Sequence, residues 1–146
     1  MGGTTSNWTL CDQSESNVPV LVSSISVDNL ISQTNGIWSF STTGYYLITY
    51  QFMVIGNLSA SLYNDINLVV TNDNGSNYYN ASSAGQGLYA TGAQASVFGT
   101  QMLKITDTSN DKFKLSSTLA AGINIYVYGT TNPRYSVVRA IRLSGI

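Results

Sequence analysis

Gly44-Tyr45-Tyr46-Leu47-Ile48-Thr49-Tyr50-Gln51-Phe52-Met53-Val54 alternates with a period of two along its length. The even positions, Tyr46, Ile48, Tyr50, Phe52 and Val54, form a wholly apolar row. The odd positions, Tyr45, Leu47, Thr49, Gln51 and Met53, are mixed. Successive side chains of an extended chain point to opposite faces, so this stretch reads as a β-strand with one face in a core. A second face that is half apolar marks either a central strand or one covered by a neighbouring subunit. Tyr46, Tyr50 and Phe52 are the expected core aromatics.

Working outward, Ile37 to Ser41 alternates again, with Trp38 and Phe40 on one face, and Thr42-Thr43-Gly44 makes a turn into the long strand. Upstream, Val18 to Val22 carries Pro19, which suits a strand start or an edge, and Ser24 to Leu30 alternates Ile25 and Val27 with polar neighbours. Downstream, Asp65 to Thr71 reads as a strand closed by Asn72-Asp73-Asn74-Gly75, where Asn and Gly favour the left-handed conformations of a hairpin turn. Residues 76–95 are rich in Ser, Ala, Gly and Asn, with Tyr78, Tyr79 and Tyr89 as anchors. Strands are expected over Val97–Thr106, Lys112–Ser117, Ile123–Tyr128 and Tyr135–Leu143, separated by turns at 107–111, 120–122 and 129–133. No segment sustains a 3.6-residue period with caps, so essentially no helix is expected. Short strands at these intervals predict an all-β antiparallel sandwich or jelly roll.

Composition narrows the chemistry. The 146 residues are 43% apolar and only 9% charged, where a soluble domain averages about 25% charged, so solubility rests on neutral polar groups. With no His and one Cys, there is no Ser-His-Asp triad, no Cys-His dyad and no zinc site of the usual His/Cys kind. Cys11 is a free thiol or an intermolecular partner. Asp107 and Asp111 flank one turn, but Asp-rich turns are mostly hydrogen-bonding turn formers, and no base of suitable pKa is identifiable. The protein is read as no enzyme, with no cofactor and no metal.

All six bases, Lys104, Lys112, Lys114, Arg134, Arg139 and Arg142, lie in the last third of the chain, with Asp107 and Asp111 among them. That arrangement suits charge complementarity between early and late strands or between subunits. It does not make a clustered basic patch, so no nucleic-acid partner is expected. Residues 1–18 lack the basic start and apolar run of a secretory signal, and no stretch has the length of a membrane-spanning helix. The expected organisation is a flexible amino-terminal arm, residues 1–18, and a single jelly-roll domain, residues 19–146.

Gly36-Ile37-Trp38-Ser39-Phe40 followed by Gly44-Tyr45-Tyr46-Leu47-Ile48-Thr49-Tyr50 resembles the signature of complement-type globular heads, part of the tumour-necrosis-factor-like jelly-roll superfamily. Ile66 to Gly75, Met102 to Leu115 and the apolar carboxy-terminal strand Val137 to Leu143 are similar to later stretches of that family. Val138-Arg139-Ala140 departs from the Phe-Ser-Gly usual in the last strand, and no collagen-like stalk precedes the domain. The resemblance implies a ten-strand jelly roll that assembles as a homotrimer. Ten Tyr, two Trp and four Phe independently suit an assembling body, because these rings pair a large apolar face with, in Tyr and Trp, one polar handle. Tyr45, Tyr126, Tyr128 and Tyr135 are the candidate trimer contacts, with ordinary core packing as the alternative for each.

The low charge, the absence of His and a free-standing trimeric head resemble virion surface proteins of tailed phages and related viruses. Such proteins are made in the host cytoplasm and then face the outside. The expected role is therefore a trimeric decoration, cement or spike-head protein on the virion surface. Its arm would dock to capsid or fibre proteins, and no membrane partner is expected. The alternative is a trimeric recognition head for a cell-surface glycan or protein receptor. Sugar sites pair aromatic platforms with Asn, Asp and Ser/Thr, and the hairpin stretch with Asp73, Asn74, Asn77, Tyr78 and Tyr79 has that make-up.

Overall fold

The structure, a computed structural model, describes residues 6–7, 30–56, 64–90, 92–119, 125–128 and 137–146. Among the described residues ten strands follow one another: β1 (Ser6–Asn7), β2 (Ile31–Thr34), β3 (Ile37–Phe40), β4 (Gly44–Gly56), β5 (Asn64–Thr71), β6 (Tyr79–Gly85), β7 (Gln94–Ile105), β8 (Lys112–Leu119), β9 (Ile125–Tyr128) and β10 (Val137–Ser144). They form two sheets, with no helix among the described residues. The first runs β2-β3-β8-β5-β6, with β1 also paired to β8; the second runs β10-β4-β7, with β9 also paired to β4. Every pairing is antiparallel. The all-β sandwich expected from the alternation is the observed architecture.

The core lies where the inner rows of the two sheets meet. Tyr46, Ile48, Tyr50, Phe52 and Val54 of β4 are fully buried, as the alternation requires. They face Trp38 and Phe40 of β3, Ile66 and Leu68 of β5, and Phe113 and Leu115 of β8. Trp38 and Phe113 are cross-strand partners whose rings stack at 5.1 Å, and Phe40 tilts against Tyr46 at 4.8 Å. Aromatic pairs at these separations add to the stabilisation from buried area alone. The hydroxyls find backbone acceptors: that of Tyr46 donates to the Thr42 carbonyl (2.8 Å), and that of Tyr50 donates across to the Ile66 carbonyl (3.3 Å).

Two elements differ from the expectation. Residues 79–85 form strand β6, paired along β5 with a register shift at Leu68/Val69. Its small polar residues suit an edge position, where one side of the ladder stays open. Ile31–Thr34 pairs with β3 across Asn35-Gly36, whose φ values of 50° and 79° are the left-handed pair of a two-residue hairpin. The lysines rest on neutral partners. Lys104 lies over the Tyr45 ring at 5.9 Å, Lys114 lies over Tyr78 at 4.0 Å, and Lys112 donates to the Asn74 side-chain oxygen.

At the start of β4, Gly44 has φ 150° and packs against the Ser144 carbonyl, so a side chain there has no room. Arg142 donates from Nε and a terminal nitrogen to the Thr43 carbonyl (3.2 and 2.8 Å), fastening the end of β10 to the same corner. Of the proposed arm, Ser6 and Asn7 pair with Ser117 and Ser116 on β8. Cys11, Pro19, the stretch 18–29, the turns at 120–122 and 129–133, and Tyr135 lie outside the described residues.

Candidate functional site

Three surfaces come into question: the β5–β6 hairpin, the cleft beside it, and the outward face of the second sheet. The hairpin turn is internally satisfied. Asp73 Oδ1 accepts from the Thr71 hydroxyl (2.6 Å) and the Asn77 backbone N–H (2.9 Å), and Oδ2 accepts from the Asn77 side-chain amide (2.7 Å). These bonds to the charged form, the Thr71 hydroxyl first among them, hold the Asp73 carboxyl down to about 2. The Thr71 hydroxyl oxygen in turn accepts from the backbone N–H groups of Asp73 and Gly75. Asn74, in the left-handed region at φ 58°, donates its N–H to the Asn110 carbonyl (3.2 Å), which ties the hairpin to the β7–β8 turn.

That second turn follows the same logic. Asp107 accepts from the Ser109 N–H (2.8 Å) and the Asn110 amide (2.8 Å), and its carboxyl is held below the usual range, mainly by the Ser109 bond. Asp111 is buried to 8% exposure, and its Oδ2 accepts from the backbone N–H groups of Thr106 (2.6 Å) and Asp107 (2.9 Å) and from the Thr106 hydroxyl (3.3 Å). Among the described residues no group bonds to its Oδ1.

The five hairpin residues expected to face a ligand therefore divide. Asp73 and Asn77 bond to each other and to the turn, and Asn74 is engaged by Lys112. Tyr78 lies under Lys114, with its hydroxyl buried; desolvation, and then the Asp73 charge, raise its pKa. Tyr79 alone of the five leaves its ring largely in solvent, at 59% exposure. It stands opposite Val70 in the β5–β6 ladder, at the edge of the first sheet. There it borders a cleft of about 170 Å³ shared with Val70 and Asn72 from β5 and its turn, Leu103, Lys104 and Ile105 from β7, and Asp111. Composition pointed to the hairpin tip. The cleft draws on stretches of chain more than 20 residues apart, so only the sandwich brings it together.

The outward face of the second sheet is the third surface. Register places Ile141 and Met102 on either side of Leu47, Arg139 and Thr100 on either side of Thr49, and Val137 and Phe98 on either side of Gln51. Phe98, Met102, Ile141 and Leu143 are each more than half exposed, and the odd positions of β4 are half-buried. Tyr45 opens this row beside Lys104. In the β4–β9 ladder Tyr128 stands opposite Met53 and Tyr126 opposite Ile55, register positions that continue the odd row of β4.

No protein-family model and no curated protein sequence matches the chain. Among solved structures it is similar to the Eiger TNF of S. frugiperda, with a TM-score of 0.61 and 18% identity over 80% of this chain and 70% of that one. It is also similar to murine APRIL at pH 5.0, with a TM-score of 0.54 and 11% identity over 80% of this chain and 79% of that one. Murine APRIL at pH 8.0 gives 0.52 and 11% over 80% and 76%. At these identities the likeness is one of fold. The protein has the tumour-necrosis-factor-like jelly-roll fold that its Gly-Tyr-Tyr strand resembles.

Proposed function

We propose that the protein is a non-enzymatic structural head that associates with copies of itself as a homotrimer through the outward face of its second sheet. The observation that carries this reading is the apolar patch of Phe98, Met102, Ile141 and Leu143. Exposed apolar side chains of this size favour a partner, because each one removed from water contributes free energy in proportion to its apolar area. A second copy fits better than a charged partner, since the rows flanking Leu47 and Gln51 carry no charge, and Arg139 is the one base beside Thr49. The homotrimer is the assembly that the jelly-roll resemblance implies.

The setting proposed for that head is the surface of a virus particle, as a decoration, cement or spike-head protein, with residues 1–18 docking to capsid or fibre. A low-charge exterior rich in Ser, Thr, Asn and Tyr supports the reading. Cryo-electron microscopy of virus particles purified from cells that make the protein tests it. Trimeric density projecting from the shell is expected, and particles that lack the protein altogether would contradict the assignment.

A further inference from the structure

We propose that the cleft between Tyr79 and Asp111 binds a single pyranose residue of a glycan. It is built within one chain, so the inference stands independently of self-association. Four features of the cleft select the ligand class. Tyr79 offers an exposed ring at the sheet edge, and an aromatic face packs against the C–H face of a pyranose. Asp111 is more than nine-tenths buried, and its Oδ1 keeps acceptor capacity that the turn does not use. Such an atom is matched by hydroxyl donors, and charge-assisted bonds are the stronger kind. Asn72 brings a further polar side chain to the lining, beside the apolar side chains of Val70, Leu103 and Ile105. A volume of about 170 Å³ takes one sugar ring and not a chain of them.

Other ligand classes fit worse. A wholly apolar ligand would strip water from Asp111 Oδ1 and give nothing back, which is costly for a charged acceptor. A compact anion would meet that same carboxylate. A compact cation would find a single carboxylate, with Lys112 in the same lining. A neutral polyhydroxylated ring meets both the apolar and the polar parts without an unpaired charge.

The test is a titration of the isotopically labelled full chain, followed through its backbone amide resonances. The probes are the methyl glycosides of glucose, galactose and mannose, each added to tens of millimolar. At least one should give saturable shifts centred on Asn72, Tyr79, Leu103, Lys104 and Asp111. Tyr79→Ala should weaken that affinity about tenfold or more, and Tyr79→Phe should largely retain it, because the ring face rather than the hydroxyl is the platform. Tyr79 is mostly in solvent, so both variants keep the fold, and the unchanged remainder of each spectrum verifies it. No saturable shift at these amides with any of the three glycosides would overturn the proposal, as would shifts that persist undiminished in Tyr79→Ala.

Discussion

Tyr50 and Gly99 stand directly opposite each other in the β4–β7 ladder, and the tyrosine ring fills the space that a side chain at position 99 would occupy. The neighbouring β7 residues Val97 and Leu103 are buried on the same inner row. The missing side chain at 99 lets the Tyr50 ring lie across β7, while its hydroxyl reaches the Ile66 carbonyl of the other sheet. The pair thus joins the sheet carrying the apolar outward face to the sheet carrying the hairpin.

Gly99→Ala should therefore destabilise the fold by about 2–3 kcal/mol, since its methyl group meets ring atoms in a close-packed core. Tyr50→Phe should cost about 1 kcal/mol through the lost hydroxyl bond. Urea unfolding measures both. A Gly99→Ala midpoint equal to that of the wild type would show that the ring has room to move.

Phe113→Ala removes the ring stacked on Trp38 and touching Phe40. A loss of about 3–5 kcal/mol is expected for a fully buried aromatic. In a Trp8→Phe background, Trp38 reports alone, and its emission should shift to the red as the cavity admits water. An unshifted spectrum with unchanged stability would place the core elsewhere.

The Asp73 carboxyl is held at about 2, below its ordinary value of 3.8, so its charged form favours the native hairpin. That contribution is present above the ordinary carboxylate range and is lost as pH falls through about 2. Carboxyl resonances followed against pH should show Asp73 titrating well below an unstructured Asp. Thr71→Val, which deletes the shortest bond to Asp73 Oδ1, should move that midpoint upward. An Asp73 midpoint in the ordinary range in the wild type would contradict the hairpin geometry.

Deletion of residues 1–18 should leave the sandwich folded, because its described contribution is the short pairing of Ser6 and Asn7 with Ser117 and Ser116. Thermal unfolding should stay cooperative with a modestly lowered midpoint, while attachment to particles is lost. A truncated chain that fails to fold would make the segment part of the sheet rather than an arm.

The parts of this molecule legible in its sequence are those where burial imposes a pattern. Strand β4 alternates because the sandwich covers one of its faces completely, and Trp38 with Phe40 shows the same period for the same reason. Strand β6 leaves no such pattern, because an edge strand buries little and Ser, Ala and Asn serve where Val or Ile would be needed in the middle of a sheet. Asn35-Gly36 carried a readable hairpin signal, but the polar Ser32, Gln33 and Thr34 beside it mask the strand it closes. The hairpin residues Asp73, Asn74 and Asn77 were legible as polar and aromatic company for a sugar. Their hydrogen bonds to one another were not, since composition does not distinguish a turn that binds itself from one that binds a ligand. Asp111 read as a turn former, which it is; that one of its oxygens takes all three bonds of the turn depends on the backbone geometry of residues 106–111, which spacing alone does not reveal.

The central claim is that copies of this chain meet through Leu47, Phe98, Met102 and Ile141, and light scattering coupled to size exclusion tests it most directly. At micromolar concentration the wild-type protein should have about three times the 15.7 kDa mass of one chain. That mass should hold in molar salt, because an apolar interface of about 2,000 Å² or more has few charge pairs to screen. Met102→Lys, a substitution at a position 57% exposed in the single chain, should reduce the mass to that of a folded monomer. A wild-type protein that runs as a monomer, or a trimer untouched by Met102→Lys, would contradict the account.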